Sequence, residues 1–338
     1  MKFVRILPLA GLLGAALVVA QQGPKDTFKV PLGLTPIQWP KDNPYTKEKA
    51  ELGRMLYFDT RLSGDNTVSC ATCHDPKKGF TDGLPVSFGV KRQQGPISSP
   101  TVINRAYGML QFWDGRAKSL EDQAVGPMAN ALEMGNTHEA VLRTLRGVSG
   151  YRQQFKQVFG TEDFDLDMVA KAISTFERTV VSGNSPYDKY RAGNKTAMTP
   201  DQIAGMNVYF QKAKCDKCHE GVNFTLNSFH NLGVGTQKAK PDEGRAAVTK
   251  NPADWSAFKT PTLREIEHTA PYMHDGSLKT LEEVVDFYDK GGIKNKNLDE
   301  EMKPLNLTAQ EKKQLVAFLK ALSGEGWQHL TAPKSFPQ

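Results

Sequence analysis

The chain has 338 residues, a formal net charge of +6 at pH 7, 39% hydrophobic residues and 24% charged residues. This length suits two domains of about 100–150 residues each, and the composition is that of an ordinary globular protein. The lysines are scattered rather than gathered into one stripe, so no nucleic-acid partner is expected.

The first twenty residues differ from the rest of the chain. Positive charge in MKFVR precedes the apolar run ILPLAGLLGAALVVA, and V-V-A before Gln21 fits a signal-peptidase site. The apolar run is short for a membrane span, which needs roughly 20 residues. We predict a cleaved signal peptide over residues 1–20, a soluble mature protein and a periplasmic location. An uncleaved anchor is the alternative.

The residues before the two cysteine clusters repeat one another. Residues 53–58 (GRMLYF) and 205–210 (GMNVYF) each predict an amphipathic helix that ends shortly before its cluster. Thr199, followed by a proline and then by a glutamine three residues on, is typical of the start of the second helix. This internal repeat predicts two similar units.

All four cysteines fall in two C-x-x-C-H motifs, Cys70-Ala-Thr-Cys73-His74 and Cys215-Asp-Lys-Cys218-His219. In an exported protein four cysteines could instead form two disulfides, and one such motif could be half of a zinc site. Two matches that use every cysteine favour two covalently attached c-type haems. In each, two thioethers would hold the porphyrin and the adjacent histidine would ligate the iron.

The predicted fold is mainly α, with two c-type cytochrome domains that each carry one covalently bound haem. Strand signals are weak, and Gly- and Pro-rich residues 79–100 and 231–262 predict long loops. Residues 182–200 are the predicted linker. The N-terminal domain is therefore predicted at 21–185 and the C-terminal domain at 186–338.

The stretch PYMHDGSLKTLEEVVDFY offers three side chains that could bind iron, namely Met273, His274 and Tyr288. Thr280 and Glu283 fit a capping box that starts a helix. In that helix the apolar residues recur at i, i+3, i+4 and i+7, which turns Tyr288 towards the interior. A buried tyrosine whose hydroxyl is bonded elsewhere is the alternative to an iron ligand.

From about residue 45 to 324 the chain resembles the bacterial di-haem cytochrome c peroxidases and the related enzyme MauG of methylamine utilisation. The segments that carry the resemblance are ELGRMLYFDTRLS, CATCH, GPISSPTVINRAYGMLQFWDGRAKSLEDQAVGP, ALEM, CDKCH, FKTPTLREIEHTAPYMHDGS and TLEEVV.

The resemblance implies that the first haem is the peroxide site, with His74 as its proximal ligand. Gln123, Pro127 and Glu133 fall on the family's distal-pocket positions. A poised carboxylate at Glu133 could carry the proton that moves between the two peroxide oxygens. Without the resemblance, Glu133 would be interpreted as a surface acid.

Four further residues are interpreted alongside the resemblance. Trp113 matches the tryptophan that lies between the haems and relays electrons, although it could equally be a core aromatic. Arg245 is predicted to pair with a haem propionate, with solvent exposure as the alternative. Asp114 and Arg116 are interpreted as a structural ion pair without a chemical role.

The chain departs from the family at two positions. Many of the peroxidases carry a capping histidine on the resting peroxide haem, and the equivalent residue here is Val90. The first haem is therefore expected to be open to peroxide without prior reduction. A calcium ion is expected at Thr269, Pro271 and Ser98, where Ser98 replaces an asparagine and supplies a poorer ligand oxygen.

At the second haem, His219 is the expected ligand on one side. The peroxidases place a methionine opposite it, at the position of Tyr288, and the MauG-like branch places a tyrosine ligand there. Met273 and His274 belong to a motif shared by relatives whose ligand lies downstream. A hard phenolate stabilises ferric iron and makes a higher oxidation state accessible, whereas a soft thioether favours ferrous iron.

Three functions follow as hypotheses. The first is a peroxidase that reduces hydrogen peroxide to water with electrons from a small donor, a cytochrome c or a cupredoxin. The second is a MauG-like enzyme that uses peroxide to oxidise residues of a partner protein. The third is a di-haem electron carrier, which Gln123 and Glu133 argue against because a carrier needs no open pocket. A homodimer is expected from the resemblance alone.

Overall fold

The computed structural model describes residues 27–338, so the predicted signal peptide lies outside the described residues. The described chain is predominantly helical, and the prediction of a mainly α fold is confirmed. Its one small sheet pairs β1 (Phe229–His230) with β2 (Phe258–Lys259) in antiparallel order. No helix within residues 27–338 combines the length and the apolar character that a bilayer span requires.

Eleven α-helices are found in the described residues. They are α1 (Lys47–Phe58), α2 (Cys70–Cys73), α3 (Leu120–Ala129), α4 (His138–Gly147), α5 (Ser149–Phe159), α6 (Leu166–Thr179), α7 (Pro186–Arg191), α8 (Pro200–Asn207), α9 (Ala246–Thr249), α10 (Leu281–Asp289) and α11 (Ala309–Lys320). A π-helical turn over Val208–Lys212 extends α8. Residues 79–100 contain no α-helix, and residues 231–262 contain α9, β2 and a 3-10 helix over Pro252–Asp254.

The first hydrophobic core forms around the crossing of α1 and α6. Gly53 lies against the neighbouring helix so closely that a Cβ there would be 1.9 Å from the carbonyl oxygen of Ala172. One turn further along, the ring of Tyr57 meets Phe176 edge-on, with centroids 5.0 Å apart. The missing side chain at Gly53 therefore allows the two helices to meet with their aromatic residues in contact.

The second core repeats this arrangement with α8 and α11. A Cβ on Gly205 would lie 1.8 Å from the carbonyl oxygen of Gln314, and the ring of Tyr209 meets Phe318 edge-on at 5.1 Å. The predicted capping box at Thr199 is present at the start of α8. The repeat in the sequence is thus a repeat in the structure.

The predicted linker is more ordered than its composition indicates. It contains α7, in which the carboxylate of Asp188 forms a two-pronged ion pair with Arg264, at 2.8 and 2.9 Å. Both side chains are almost fully buried, and Arg264 also donates to the carbonyl of Gly33. Removing one partner of such a pair leaves a buried charge without compensation, which costs about 3–5 kcal/mol. The linker is thereby fixed to the second half of the chain.

The C-terminal segment leaves the second core and returns to the first. Trp327 belongs to the first hydrophobic cluster, and Leu330 packs against it. The carbonyl of Gln338 accepts a hydrogen bond of 2.8 Å from the N–H of Gly150. The first core therefore contains residues from both ends of the described chain.

Replacing either close-contact glycine by alanine should destabilise the protein. We expect Gly53→Ala and Gly205→Ala each to lower the free energy of unfolding by about 1–3 kcal/mol. The added methyl group would collide with backbone atoms of the neighbouring helix, which can move only if the helix itself shifts. Gly147→Ala, in α4, is the matched control, since nothing lies within 4 Å of its Cβ position. Urea unfolding followed by far-ultraviolet circular dichroism measures the difference. Equal stability of all three variants would contradict the close-contact interpretation.

Candidate functional site

A cavity of about 420 Å³ runs between the two halves and is lined by residues of both C-x-x-C-H motifs. His74 and His219 both lie in its wall. None of the four cysteines forms a disulfide with another. Each motif therefore presents two available sulfur atoms and an imidazole to the same interior space.

The two histidines are held in the same way. His74 has its Nδ1 atom 3.4 Å from the carbonyl oxygen of Phe80, and His219 has its Nδ1 atom 3.1 Å from that of Phe224. Burial lowers the pKa of His74 and lowers the pKa of His219 to about 4, so both rings are neutral at neutral pH. A neutral ring that donates from Nδ1 keeps its Nε2 lone pair for a metal.

A tyrosine fixes the backbone of each of these histidines. The hydroxyl of Tyr57 donates to the carbonyl of His74 at 2.9 Å, and that of Tyr209 donates to the carbonyl of His219 at 2.5 Å. These are the tyrosines of the two helix crossings. The repeated sequence therefore connects each helix pair directly to its C-x-x-C-H motif.

The predicted distal residues Gln123, Pro127 and Glu133 all line the cavity. Gln123 and Pro127 lie one turn apart on α3. The helix is tied to α6 by a two-pronged ion pair between Glu121 and Arg178, at 2.6 and 2.9 Å. Although burial opposes ionisation, the hydrogen bonds and charge of Arg178 lower the pKa of Glu121 to about 2.

Glu133 follows α3 in a tight turn. Its Oε1 atom accepts a hydrogen bond of 2.7 Å from the side-chain amide of Asn130. Burial raises the pKa of Glu133, while the charge of Arg116 and the bond from Asn130 act in the opposite direction. Arg116, interpreted from the sequence as structural, does pair with Asp114 at 3.0 Å, but it also lines the cavity.

Val90 lies behind the Glu133 turn rather than in the cavity wall. Its N–H donates to the carbonyl of Glu133 at 2.8 Å, and its side chain belongs to the first hydrophobic core. The side-chain amide of Gln93 donates to the carbonyl of Ala131 at 3.0 Å. The loop around Val90 thus supports the turn that carries Glu133.

Trp113 lies at the junction of the two halves. Its indole N–H donates to the carbonyl of Ser98, and its own carbonyl accepts from the N–H of Lys259, both at 2.8 Å. Arg245 is close by but is not among the cavity-lining residues. Its guanidinium donates to the carbonyls of Asp114 and Gly115 and lies over the ring of Phe229.

Tyr288 lies on the inner face of α10, and the capping box of Thr280 and Glu283 is present at the start of that helix. Tyr288 lines the cavity, as do Met273 and His274. None of the described residues forms a hydrogen bond with the Tyr288 hydroxyl. Burial first, and then the nearby cysteines of the second motif, raise its pKa well above the ordinary value. The ring of His274 stacks on Phe258 with centroids 3.6 Å apart.

The three residues predicted to hold calcium, Ser98, Thr269 and Pro271, all line the cavity. The N–H of Ser98 donates to the carbonyl of His274 at 2.8 Å. Across residues 27–338 no cluster of three or more His, Cys, Asp or Glu side chains is placed to hold a metal ion. A cation here would therefore depend on carbonyl and hydroxyl oxygens.

Among the charged residues that line the cavity without having been singled out in the sequence are Arg105, Glu177 and Lys259. Glu177 and Lys259 are each only 5% exposed. No motif marks these residues, and each lies within a stretch that is otherwise typical of a helix or loop. What distinguishes these residues is that their charged groups are buried. Burial depends on how distant segments pack together, so the sequence does not reveal it.

Comparison with known proteins identifies the family. The family model described as di-haem cytochrome c peroxidase matches residues 47–196. A cytochrome c551 peroxidase of Nitrosomonas europaea is 42% identical over 285 residues, which are 83% of this chain and 82% of the relative. The chain belongs to this family. The resemblance stated from the sequence is confirmed, and with it the prediction of a peroxidase-type oxidoreductase.

Both branches of the family are represented among the relatives. The methylamine utilisation protein MauG of Methylorubrum extorquens is 43% identical over 289 residues, covering 85% of this chain and 81% of the relative. A solved structure described as a MauG-like protein associated with microbial copper homeostasis superposes with a TM-score of 0.81 and 34% identity, covering 93% of this chain and 97% of the other.

Membership of this di-haem family implies two c-type haems. The described residues fit that cofactor, because each motif brings two cysteine sulfurs and a neutral imidazole to one cavity. Lys259 adds a buried amine without a partner, which suits a cofactor that carries carboxylates.

Glu177 should make the stability of the protein depend on pH. Burial raises its pKa to about 8 from the ordinary value of 4.5. The folded protein holds this proton more tightly than the unfolded chain, so the stabilisation is present below pH 4.5 and is lost as the pH rises to about 8. Glu177→Gln has no proton to lose. Through this window we expect the wild type to lose up to about 1.4 kcal/mol per pH unit relative to the variant.

Urea unfolding of the haem-loaded proteins across the same pH window measures this difference. Glu300→Gln, which removes an exposed glutamate, is the matched control and should follow the wild type. If the free energy of unfolding changes with pH in parallel for Glu177→Gln and the wild type, Glu177 ionises normally in the folded protein.

Proposed function

We propose that the protein is a periplasmic di-haem peroxidase that reduces hydrogen peroxide to water with electrons from a small donor protein, a cytochrome c or a cupredoxin. The observation that supports this most directly is Glu133 in the cavity wall, within electrostatic reach of Cys70 and Cys73. Relatives named as cytochrome c peroxidases support the same reaction. An electron carrier would have no use for such a group.

The two halves would each hold one haem, in domains spanning residues 21–185 and 186–338. The two hydrophobic cores, each beside its own C-x-x-C-H motif, support this division. The C-terminal segment with Trp327 belongs to the second domain by position and to the first by packing. His74 would hold the first iron, and His219 the second.

The haem held by His74 would supply the iron that binds peroxide and passes electrons to the O–O bond. Glu133 would take the proton from the bound oxygen and deliver it to the departing one, and Asn130 would keep the carboxylate oriented for this transfer. Gln123 and Pro127 would shape the pocket around the substrate. In balance, one peroxide takes up two electrons and two protons and leaves as two waters.

The first haem would be open in the resting protein. Val90 supports this, because its side chain is packed in the core and its backbone is bonded to the Glu133 turn. A valine at this position has no nitrogen to offer to iron. Peroxide could therefore react while both irons are oxidised.

Tyr288 would be the second ligand of the iron held by His219. Its hydroxyl makes no hydrogen bond within residues 27–338, and it lies near Cys215 and Cys218. A tyrosine buried only for packing would have a bonded hydroxyl, as Tyr272 does with the carbonyl of Ile266 at 2.9 Å. Met273 lines the same cavity and is the alternative ligand.

A second function is favoured by this same tyrosine. A phenolate ligand would stabilise oxidised iron, and Trp113 at the junction of the two halves could share oxidising equivalents between the haems. Oxidising equivalents held in this way suit the oxidation of tryptophan or tyrosine residues in a partner protein. The similarity to MauG, and to the MauG-like protein associated with copper homeostasis, supports this alternative.

One calcium ion is proposed between the halves, held by Ser98, Thr269 and Pro271, which line one cavity. The side chain of Ser98 makes the site weaker than one with an amide oxygen. Export through a cleaved signal peptide over residues 1–20 and assembly into a homodimer are proposed on the sequence and the family resemblance.

Adding peroxide to the protein with both irons oxidised tests the first function. We expect rapid spectral change without prior reduction. Glu133→Gln should slow it by roughly 10²–10⁴-fold, because the proton carrier is lost. Glu139→Gln, an exposed glutamate at the start of α4, is the control and should react normally. If wild type ignores peroxide until it is reduced, the open pocket is wrong. An unchanged rate in Glu133→Gln would remove Glu133 from the mechanism.

Replacing Tyr288 by methionine tests the second haem. We expect the wild type to retain two oxidising equivalents for a long time after peroxide is added, as titrated with a reductant. Tyr288→Met should lose them quickly and raise the potential of one haem, because a thioether favours ferrous iron. Tyr272→Phe is the control from the same cavity. Steady turnover with reduced cytochrome c would favour the peroxidase. An unchanged potential and lifetime in Tyr288→Met would exclude Tyr288 as the ligand.

A further inference from the structure

Lys259 is a buried amine without a partner. It lies on β2, is only 5% exposed, and lines the cavity. Within residues 27–338 no hydrogen bond or ion pair is made by its ammonium group, and no carboxylate raises its pKa. A buried charge without compensation is strongly destabilising. Burial, and then the charge of Arg105, lower the pKa of Lys259, so an anion beside the amine would keep it charged, and the described residues do not supply one.

A second cation from the other half of the chain faces the same space. The guanidinium of Arg105 donates to the side-chain oxygen of Gln111 and to the carbonyl of Leu110, both of which are neutral groups. Arg105 also lines the cavity, and its charge is close enough to lower the pKa of Lys259. Two basic side chains, the buried Lys259 and the half-buried Arg105, thus lie close together, and neither is bonded to a carboxylate of the described residues.

The nearest acid does not neutralise this pair. Glu177 acts on Arg105 electrostatically, but burial raises the pKa of Glu177 to about 8, so it is mainly protonated at neutral pH. One of its carboxyl oxygens is buried without a hydrogen-bond partner. The neighbourhood therefore has unused donors and an unused acceptor, and its net charge is positive.

We propose that Arg105 and Lys259 together form a binding site for haem propionates at the junction of the two halves. This rests on the proposed di-haem function, because the propionates are the carboxylates that the cofactors bring into the cavity. Arginine and lysine both pair well with carboxylates, and the pairing is strongest where water is excluded. Each half of the chain contributes one cation, so the cofactor carboxylate joins the halves.

Arg245 is the residue predicted from the sequence to bind a propionate. Its Nη1 atom donates to the carbonyls of Asp114 and Gly115, at 3.0 Å each, and its guanidinium lies over the ring of Phe229. The site proposed here consists of two other basic residues, which line the cavity itself.

The site has a consequence for electron transfer. The backbone N–H of Lys259 donates to the carbonyl of Trp113, so the backbone of Lys259 is bonded to the residue proposed to relay electrons. A positive charge beside a haem favours the reduced state, since ferrous iron carries one positive charge fewer. Lys259 therefore raises the potential of the haem whose propionate it binds.

Substitution of Lys259 tests the site in the haem-loaded protein. Lys259→Met removes the charge and keeps the chain length, and we expect the midpoint potential of at least one haem to fall. The expected change is at least about tenfold in the ratio of oxidised to reduced haem, which is about 59 mV for a one-electron couple. Lys259→Arg keeps the charge and should keep the wild-type potentials. Optical titration at controlled potential measures both.

Two controls separate this proposal from the proposed function. Lys240→Met removes an exposed lysine from the same half of the chain and should leave both potentials unchanged. The number of haems per chain is measured by mass spectrometry. A wild type with fewer than two haems would contradict the di-haem function itself. Two attached haems with unchanged potentials in Lys259→Met would overturn the propionate site alone, as would an equal fall in Lys259→Arg.

If Lys259→Met fails to accumulate as a folded protein, Lys259→Gln replaces it. The amide can still donate a hydrogen bond but carries no charge, so the potential should fall as in the methionine variant. A wild-type potential in Lys259→Gln would overturn the proposal.

Discussion

The structure depends on one hydrogen bond that occurs twice. In each half a tyrosine hydroxyl, from Tyr57 or Tyr209, holds the backbone carbonyl of the histidine that ends a C-x-x-C-H motif. A glycine one turn before each tyrosine brings its helix against a second helix. A carbonyl lies near the Nδ1 atom of each imidazole. Both histidines line the cavity between the halves.

The sequence predicted the parts of this site that are local. A C-x-x-C-H motif is contiguous, and the placement of Tyr288 followed from the period of one capped helix. Lys259 and Arg105 could not be predicted in this way, because 154 positions of chain separate them and they meet only through loop packing. The contacts of Arg245 with the carbonyls of Asp114 and Gly115 likewise depend on packing that its residue type does not indicate. Residue type indicates what a side chain can bind, whereas tertiary packing decides what it reaches.

The two enzyme activities considered for this family use the same fold and differ in only a few residues of the site. Both need an open first haem, an acid–base group and a path between the haems, and the described residues offer candidates for each. What differs is how long oxidising equivalents remain before a reductant or a side chain of a partner arrives. Tyr288 affects how long the oxidising equivalents remain. The surface that contacts the partner determines which partner binds. A fold shared by both branches is therefore expected, because function depends on the site rather than on the fold.

The return of the C-terminal segment to the first core affects the order in which the chain can fold. Trp327 lies against Phe80 in a core whose other residues are made far earlier in synthesis. The half that emerges first is therefore the last to be completed, and until then it lacks part of its apolar packing. Phe80 and the residues around it are covered on this side only once Trp327 has been made.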